Sequence, residues 1–272
     1  MTYDARERSS DQARPVELYE FRRGALVWRY TTADRDYTQD FQLYLRAAIR
    51  RSGIEQGSEL NRSNLRLTVD AGLDLLEQYR AGPTMDPVTL TLRQVHEGDG
   101  QAVVIWTGRI LSVAPWRNGQ AELVLEPVYT ALRRNGLRRM YQRQCPHVLY
   151  SGACGVNPAA FRVEGLVAGI SGAEVTVGAA ATFPVGWFDG GILEWEVAAA
   201  TYERRFIVAH NGATLTLQTQ PLGLQFGGAV RLLPGCDHST TNCGQKFGNL
   251  PNYGGMPYLG GDKNPFGADP IY

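Results

Sequence analysis

The sequence has no surplus of charge. Its 27 lysines and arginines stand against 27 aspartates and glutamates, so no global field draws it to DNA, RNA or an anionic membrane. No segment approaches the roughly 20 uninterrupted apolar residues that a bilayer-spanning helix needs. Met1 to Arg14 is polar, carries both signs of charge and lacks the apolar core of a secretory signal, so the expectation is a protein made and folded in a cytoplasm. Lysine is nearly missing: Lys246 and Lys263 are the only two, and every other cation is arginine. There is no G-x-x-x-x-G-K-[ST] loop and no H-E-x-x-H, which removes the familiar phosphate-cradling and zinc-protease signatures. Histidine and cysteine are scarce as well, four of each in 272 residues.

What is present is a globular composition. Hydrophobic residues make up 43% and charged residues 20%, which suffices for a packed core and argues against wholesale disorder. Strand patterns dominate. Val16–Phe21 and Leu26–Tyr30 alternate around the turn Arg22-Arg23-Gly24-Ala25, and Leu65, Leu67 and Val69 alternate strictly with Arg66 and Thr68. Ala71–Tyr79 switches to helical spacing, Phe41–Ile49 is apolar without a clear period, and Val88–Val95, Ala102–Ile110 and Ala121–Leu125 read as further strands. Glu97-Gly98-Asp99-Gly100 and Arg117-Asn118-Gly119-Gln120 supply hairpin turns, so this part reads as an antiparallel meander. Pro127–Gln144 shows an imperfect helical pattern with Arg133, Arg134, Arg138, Arg139 and Arg143. With zero net charge, those arginines read as a solvated face or as inter-subunit ion pairs before they read as a phosphate-binding face.

From Phe161 to Leu233 charges thin out. Glu174–Val177, Gly191–Val197, Glu203–Val208 and Ala213–Leu217 read as strands, with His210-Asn211-Gly212 as a hairpin turn. Several short strands at regular spacing indicate a small barrel or sandwich. After Pro234 the chain turns Gly-, Asn-, Pro- and Tyr-rich, a composition that builds no core of its own and has to lie over another surface. The expected fold is therefore mainly β: two β-barrel or sandwich units with a few short helices. The boundaries are a flexible N-terminus at 1–15, a first β-domain with a helical segment at 16–160, a second small β-barrel at 161–233, and an irregular cysteine-containing segment at 234–272.

The cysteines fall in two pairs, Cys145 with Cys154 and Cys236 with Cys243, eight residues inside the first and six inside the second. The second barrel lies between the pairs, so a site using all four would clamp both of its ends. Closing a loop of about eighty residues is worth a few kcal/mol in the chain-entropy account. Thiolates are soft ligands that favour zinc or an iron–sulfur cluster over magnesium or calcium. Spacings of eight and six are looser than the tight knuckle of common structural zinc sites, which mildly favours a cluster. Other readings stay open. Cys145-Pro146-His147 and Cys236-Asp237-His238 share a Cys-x-His layout compatible with mixed zinc ligation, and a histidine beside a cluster can instead donate a hydrogen bond to a sulfur. The four also fit free buried thiols, or two disulfides, which a reducing compartment disfavours. A cysteine nucleophile with His147, His210 or His238 as base lacks a matching local signature.

The string Cys236-Asp237-His238-Ser239-Thr240-Thr241-Asn242-Cys243-Gly244-Gln245-Lys246-Phe247-Gly248-Asn249, followed by Asn252-Tyr253-Gly254-Gly255-Met256-Pro257-Tyr258, resembles the tail-tip or baseplate hub proteins of long-tailed bacteriophages and of the related gene transfer agents. Cys145-Pro146-His147-Val148-Leu149-Tyr150-Ser151-Gly152-Ala153-Cys154-Gly155-Val156 and Phe188-Asp189-Gly190-Gly191-Ile192-Leu193-Glu194-Trp195 fit the same family. The resemblance implies a structural virion protein without catalytic activity, assembled in the host cytoplasm, with hub-type β-barrels around the tail axis as a homotrimer. It implies a link from the tail tube to the distal machinery. The implied partners are the distal tail protein, other hub and tail-fibre proteins and the tape-measure protein, with no membrane span and no sequence-specific nucleic acid. Related tail-tip proteins look similar in carrying a [4Fe-4S] cluster on four cysteines, which implies Cys145, Cys154, Cys236 and Cys243 as ligands here. The competing expectation is a zinc-dependent or cysteine hydrolase of the tail, acting on the cell wall, with zinc at the same residues.

Overall fold

The computed structural model describes residues 3–9, 13–54, 64–80, 84, 86–98, 100–114, 118–133 and 141–259. The chain forms two compact units, one of Met1–Arg134 with Val197–Glu203, the other of Asn135–Glu196 with Arg204–Tyr272. The first division falls earlier than residue 160 because the segment carrying Cys145 and Cys154 packs within the second unit.

The first unit is a nine-stranded sheet. Its strands are β1 (Pro15–Arg23), β2 (Leu26–Thr31), β3 (Tyr37–Gln39), β4 (Gln42–Arg46), β5 (Ile49–Arg51), β6 (Leu65–Asp70), β7 (Thr89–His96), β8 (Val103–Val113) and β9 (Gln120–Pro127), in the order β3-β4-β2-β1-β7-β8-β9-β6-β5. The run β7-β8-β9 is the meander the turns foretold, closed at Asn118 and Gly119, whose φ of 52° and 72° suit the tight hairpin turn that Asn-Gly favours. The pairing of β2 with β4 is parallel. Alternation carries the core: in β6 the fully covered Leu65, Leu67 and Val69 interleave with Arg66, Thr68 and Asp70, and they pack with Tyr19, Phe21, Leu90, Leu92, Leu123 and Leu125. Burial of each such side chain contributes about 1.5–3 kcal/mol. The helical spacing after Ala71 yields one short helix, α2 (Asp74–Glu77), which buries Leu75 and Leu76.

The N-terminus, expected to be loose, contains α1 (Tyr3–Glu7), anchored on the end of β7. Arg6 donates to the Glu97 carbonyl at 2.8 Å, and the Glu7 carboxylate lies 2.7 Å from Nε2 of the fully buried His96. The pattern over Pro127–Gln144 becomes a 3-10 helix at Val128–Arg133. Of the arginines in that stretch, Arg134, Arg138 and Arg139 lie outside the described residues, and Arg143 donates to the Leu259 carbonyl at 2.8 Å.

A buried ion pair sits at the β1–β2 turn of this unit. Arg23 pairs with Glu203, their side chains 1% and 6% exposed, and Arg23 also donates to Gln78 Oε1 at 2.9 Å. Gly24 has φ 56°, and a Cβ there would come within 2.6 Å of Thr201 Oγ1, which accepts from the Ala25 N–H at 2.9 Å.

The second unit is a closed barrel, ordered β10 (Val163–Ser171), β11 (Glu174–Val177), β14 (Thr214–Leu217), β13 (Thr201–Asn211), β12 (Ile192–Ala198) and β15 (Ala229–Leu233). Register shifts between Val167 and Gly169 and between Ile207 and Ala209 mark bulges, which supply the bending that closure demands. Val167, Val175, Leu193, Trp195, Ile207, Leu215 and Leu232 fill the interior with Phe188.

The barrel's seam depends on glycine. A Cβ on Gly235 would collide with the Asp189 carbonyl and the Gly191 nitrogen, and one on Gly191 would collide with the Leu233 carbonyl. Gly190, at φ 73°, makes the turn that brings β12 against β15.

Two substitutions test these contacts by urea unfolding. Glu203→Ala strands a buried guanidinium and is expected to cost about 3–5 kcal/mol, the range for breaking a buried pair; a loss below about 1 kcal/mol would contradict it. Gly235→Ala forces backbone apart at the seam, with an expected cost at or above the ~1–3 kcal/mol of core overpacking, and wild-type stability would refute the seam's tightness.

Candidate functional site

The four cysteines line one cavity in the second unit, which also takes in His147, His238, Leu149, Val156 and Phe247. The space measures about 20 Å³, somewhat above the ~10–15 Å³ that one water requires. All four are free thiols, so the disulfide reading does not describe this fold. Cys154 and Cys243 are buried, and Cys145 and Cys236 are half-buried.

Local structure aims each sulfur. Cys154 follows a turn in which its N–H donates to Ser151 Oγ at 3.3 Å and the Gly155 N–H donates to the Ser151 carbonyl at 2.8 Å. Tyr150, itself at φ 65°, donates its hydroxyl proton to the Pro234 carbonyl at 2.7 Å, which ties the first cysteine segment to the start of the second. Cys236 comes straight off the barrel seam after Gly235. Cys243 sits on α4 (Thr240–Gln245), capped by Ser239, whose hydroxyl accepts from the Asn242 N–H at 3.0 Å. Between them His238 takes φ 62°, and its carbonyl accepts from the Cys145 N–H at 3.1 Å.

Donors point at the sulfurs. Cys236 Sγ accepts from the His238 N–H at 3.3 Å, and Cys145 Sγ accepts from the Gly254 N–H at 3.4 Å. Asn249 donates Nδ2 to the Cys154 carbonyl at 2.6 Å and lies 3.9 Å from its Sγ. A Cβ on Gly254 would stand 2.5 Å from the His147 ring, so a side chain there would displace that ring, whose buried Nδ1 has no hydrogen-bond partner among the described residues. An aromatic wall closes one side, with Phe247 edge-on to Phe161 at 5.1 Å and to Tyr150 at 6.3 Å. The described part of the tail does lie over another segment: Met256 N–H donates to the Gln142 carbonyl at 2.8 Å, and the Tyr253 hydroxyl donates to the Arg143 carbonyl at 2.8 Å.

Burial pushes the Cys236 and Cys243 thiols above their ordinary pKa, with the His238 N–H working in the opposite direction on Cys236. Such thiols are poor nucleophiles at neutral pH. His210, one of the three candidate bases, is not at the cavity; its Nε2 lies 2.8 Å from the Gly212 carbonyl and its ring packs edge-on against Phe188. Among the described residues, no three His, Cys, Asp or Glu side chains are gathered as closely as ligands of a single ion. The chemistry available is that of four convergent soft donors around a small, largely apolar space with N–H groups supporting the sulfurs. Asn249, Gly254 and Lys246 had no role in the reading of the sequence, and only their place in the motif around Cys236 and Cys243 hinted at one.

Comparison with known proteins adds an independent line. The profile of the baseplate hub protein, N-terminal attachment domain, matches residues 10–157, and that of phage conserved hypothetical protein BR0599 matches residues 186–263. The first match contains Cys145 and Cys154, and the second contains Cys236 and Cys243. An uncharacterized protein of Xylella fastidiosa (strain 9a5c) is 29% identical over 184 residues, 62% of this chain and 38% of the relative, so the chain spans little more than a third of that protein's length. Among solved structures, a chain from the virion of native gene transfer agent (GTA) particle shares the fold with a TM-score of 0.77 at 22% identity, over 96% of this chain and 92% of that one. With the hub profile covering more than half of its length, the chain belongs to the phage baseplate hub family, a structural component of the virion tail.

Proposed function

We propose that this chain is a hub subunit that repeats as a trimer around the tail axis, joining the tail tube to the distal machinery, and that Cys145, Cys154, Cys236 and Cys243 hold a [4Fe-4S] cluster as an internal staple. Its neighbours in this reading are the distal tail protein, other hub and tail-fibre proteins and the tape-measure protein. Family membership and the fold shared with a gene transfer agent virion chain support the place in the particle. The observation that carries the cluster is the convergence of two cysteine pairs, far apart in sequence, on one cavity.

The loose spacing within both cysteine pairs favours a polynuclear group over zinc. A tetrahedral zinc holds its sulfurs about 2.3 Å from one point, which leaves no space among them. When bound, an iron–sulfur cluster supplies four iron–thiolate bonds and a one-electron couple. The protein's own part is to present four sulfurs, shield them with Phe247, Leu149 and Val156, and offer the N–H groups of His238 and Gly254 to Cys236 and Cys145. Ligation at both ends of the barrel segment would cross-link a loop of about eighty residues, a stabilisation of a few kcal/mol.

Protein purified without oxygen is expected to be brown, absorbing near roughly 400 nm, with iron and acid-labile sulfide in equal amounts. Cys236→Ser should lose most of that iron and fail to support tail assembly in a complementation assay; zinc in place of iron, or full iron in the variant, would overturn the ligand assignment. A second expectation concerns pH. The raised thiols of Cys236 and Cys243 keep their protons near neutrality, and ligation has to displace them, so iron uptake should weaken as pH falls from about 8 to about 6. Uptake that is flat across that interval would count against these two sulfurs as ligands.

A further inference from the structure

Lysine occurs twice in this chain, and one of the two stands at the cysteine site. Lys246 is the C-cap of α4, three residues beyond Cys243. Its Nζ donates to the Trp187 carbonyl at 2.5 Å and to the Gly235 carbonyl at 2.7 Å, and Gly235 immediately precedes Cys236. The same nitrogen lies 4.6 Å from the centroid of the Trp187 ring and 5.5 Å from that of Phe247, the ring that walls the cavity. Two carbonyls and two rings around one atom suit a compact ammonium with three donors.

This cation is half-buried and, among the described residues, makes no ion pair with a carboxylate. Removing a charge from water is costly unless opposite charge stands nearby. Carbonyl dipoles and ring faces compensate part of that cost. The Asp237 and Asp189 carboxylates supply part of the opposing charge, and the four sulfurs, neutral as thiols, add to it once they ligate a cluster. Burial tends to lower the pKa of Lys246, and the neighbouring Cys236, Asp237 and Asp189 oppose that tendency.

We propose that Lys246 is the counter-charge of the four-cysteine site, a positioning residue that holds Gly235 and Phe247 in place and stabilises the reduced form of the bound cluster. This role rests on the cluster reading above. Reduction places one electron on the irons and no proton, so the negative charge of the site grows by one. A fixed cation beside it favours the reduced state, and removing that cation lowers the midpoint potential.

The test uses the full chain, loaded and handled without oxygen, with iron content measured first and the midpoint potential then read in a dye-mediated dithionite titration. Lys246→Gln keeps an N–H donor for the two carbonyls and removes the charge, whereas Lys246→Arg keeps the charge. The expected result is iron retained in both variants, a potential shifted below wild type in Lys246→Gln, and a return toward wild type in Lys246→Arg. If Lys246→Gln holds no iron, Lys246→Arg that holds iron at the wild-type potential still supports the role, and loss of iron from both variants overturns it in favour of a purely structural tie. An unmoved potential in iron-bearing Lys246→Gln overturns the role alone. Wild-type protein without iron overturns the cluster reading, and this role with it.

Discussion

The second unit depends on a place where backbone passes backbone with no room between. Gly235 lies against Asp189, Gly190 and Gly191 so closely that a single methyl group would overlap main-chain atoms. That approach lets β12 pair with β15 and closes the barrel. It also determines where the next residue begins, and the next residue is Cys236. Barrel closure and presentation of the second cysteine pair are therefore one event: a disturbance at the seam moves a sulfur, and Lys246, bonded to the Gly235 and Trp187 carbonyls, holds the seam from the outside.

Around that seam main-chain groups supply many of the contacts that assemble the cysteine site. The carbonyls of Pro234 and His238 receive the Tyr150 hydroxyl and the Cys145 N–H, and the N–H groups of His238 and Gly254 reach Cys236 and Cys145. Apart from the Tyr150 hydroxyl, these contacts need no particular side chain, only chain paths that permit close approach. Glycine and left-handed residues supply these paths, as at Gly155, His238 and Gly254. The apolar shell of Phe247, Leu149 and Val156 keeps solvent from the sulfurs, which is the same burial that raises the Cys236 and Cys243 thiols.

The regular parts of the fold were legible where local pattern and tertiary role agree. Leu65, Leu67 and Val69 alternate because one face of β6 is covered, and Asn118-Gly119 reads as a hairpin turn because both positions need positive φ. Legibility failed where the burden falls on unusual residues. The β3–β4 turn places Asp40 and Phe41 at φ 49° and 61°, with no glycine or asparagine to announce it, so Phe41–Ile49 carried no clear period. Strand β10 escaped notice because Gly165 and Gly169 interrupt its alternation, and α1 is held by His96 and Glu97, far along the chain.

By itself the sequence determined the strand-rich character, the pairing of the cysteines on either side of a barrel segment, and the motifs that match the hub family. These are local or compositional properties, set by side-chain periodicity, turn chemistry and residue identity over short stretches. Only the tertiary structure decided that all four cysteines line one cavity, that Asn249 and Gly254 serve them, that His210 stands apart, and that Lys246 sits against the seam. The physical reason is that these relations are distances between segments remote in the chain, and such distances follow from how the barrel closes rather than from any pattern within the segments themselves.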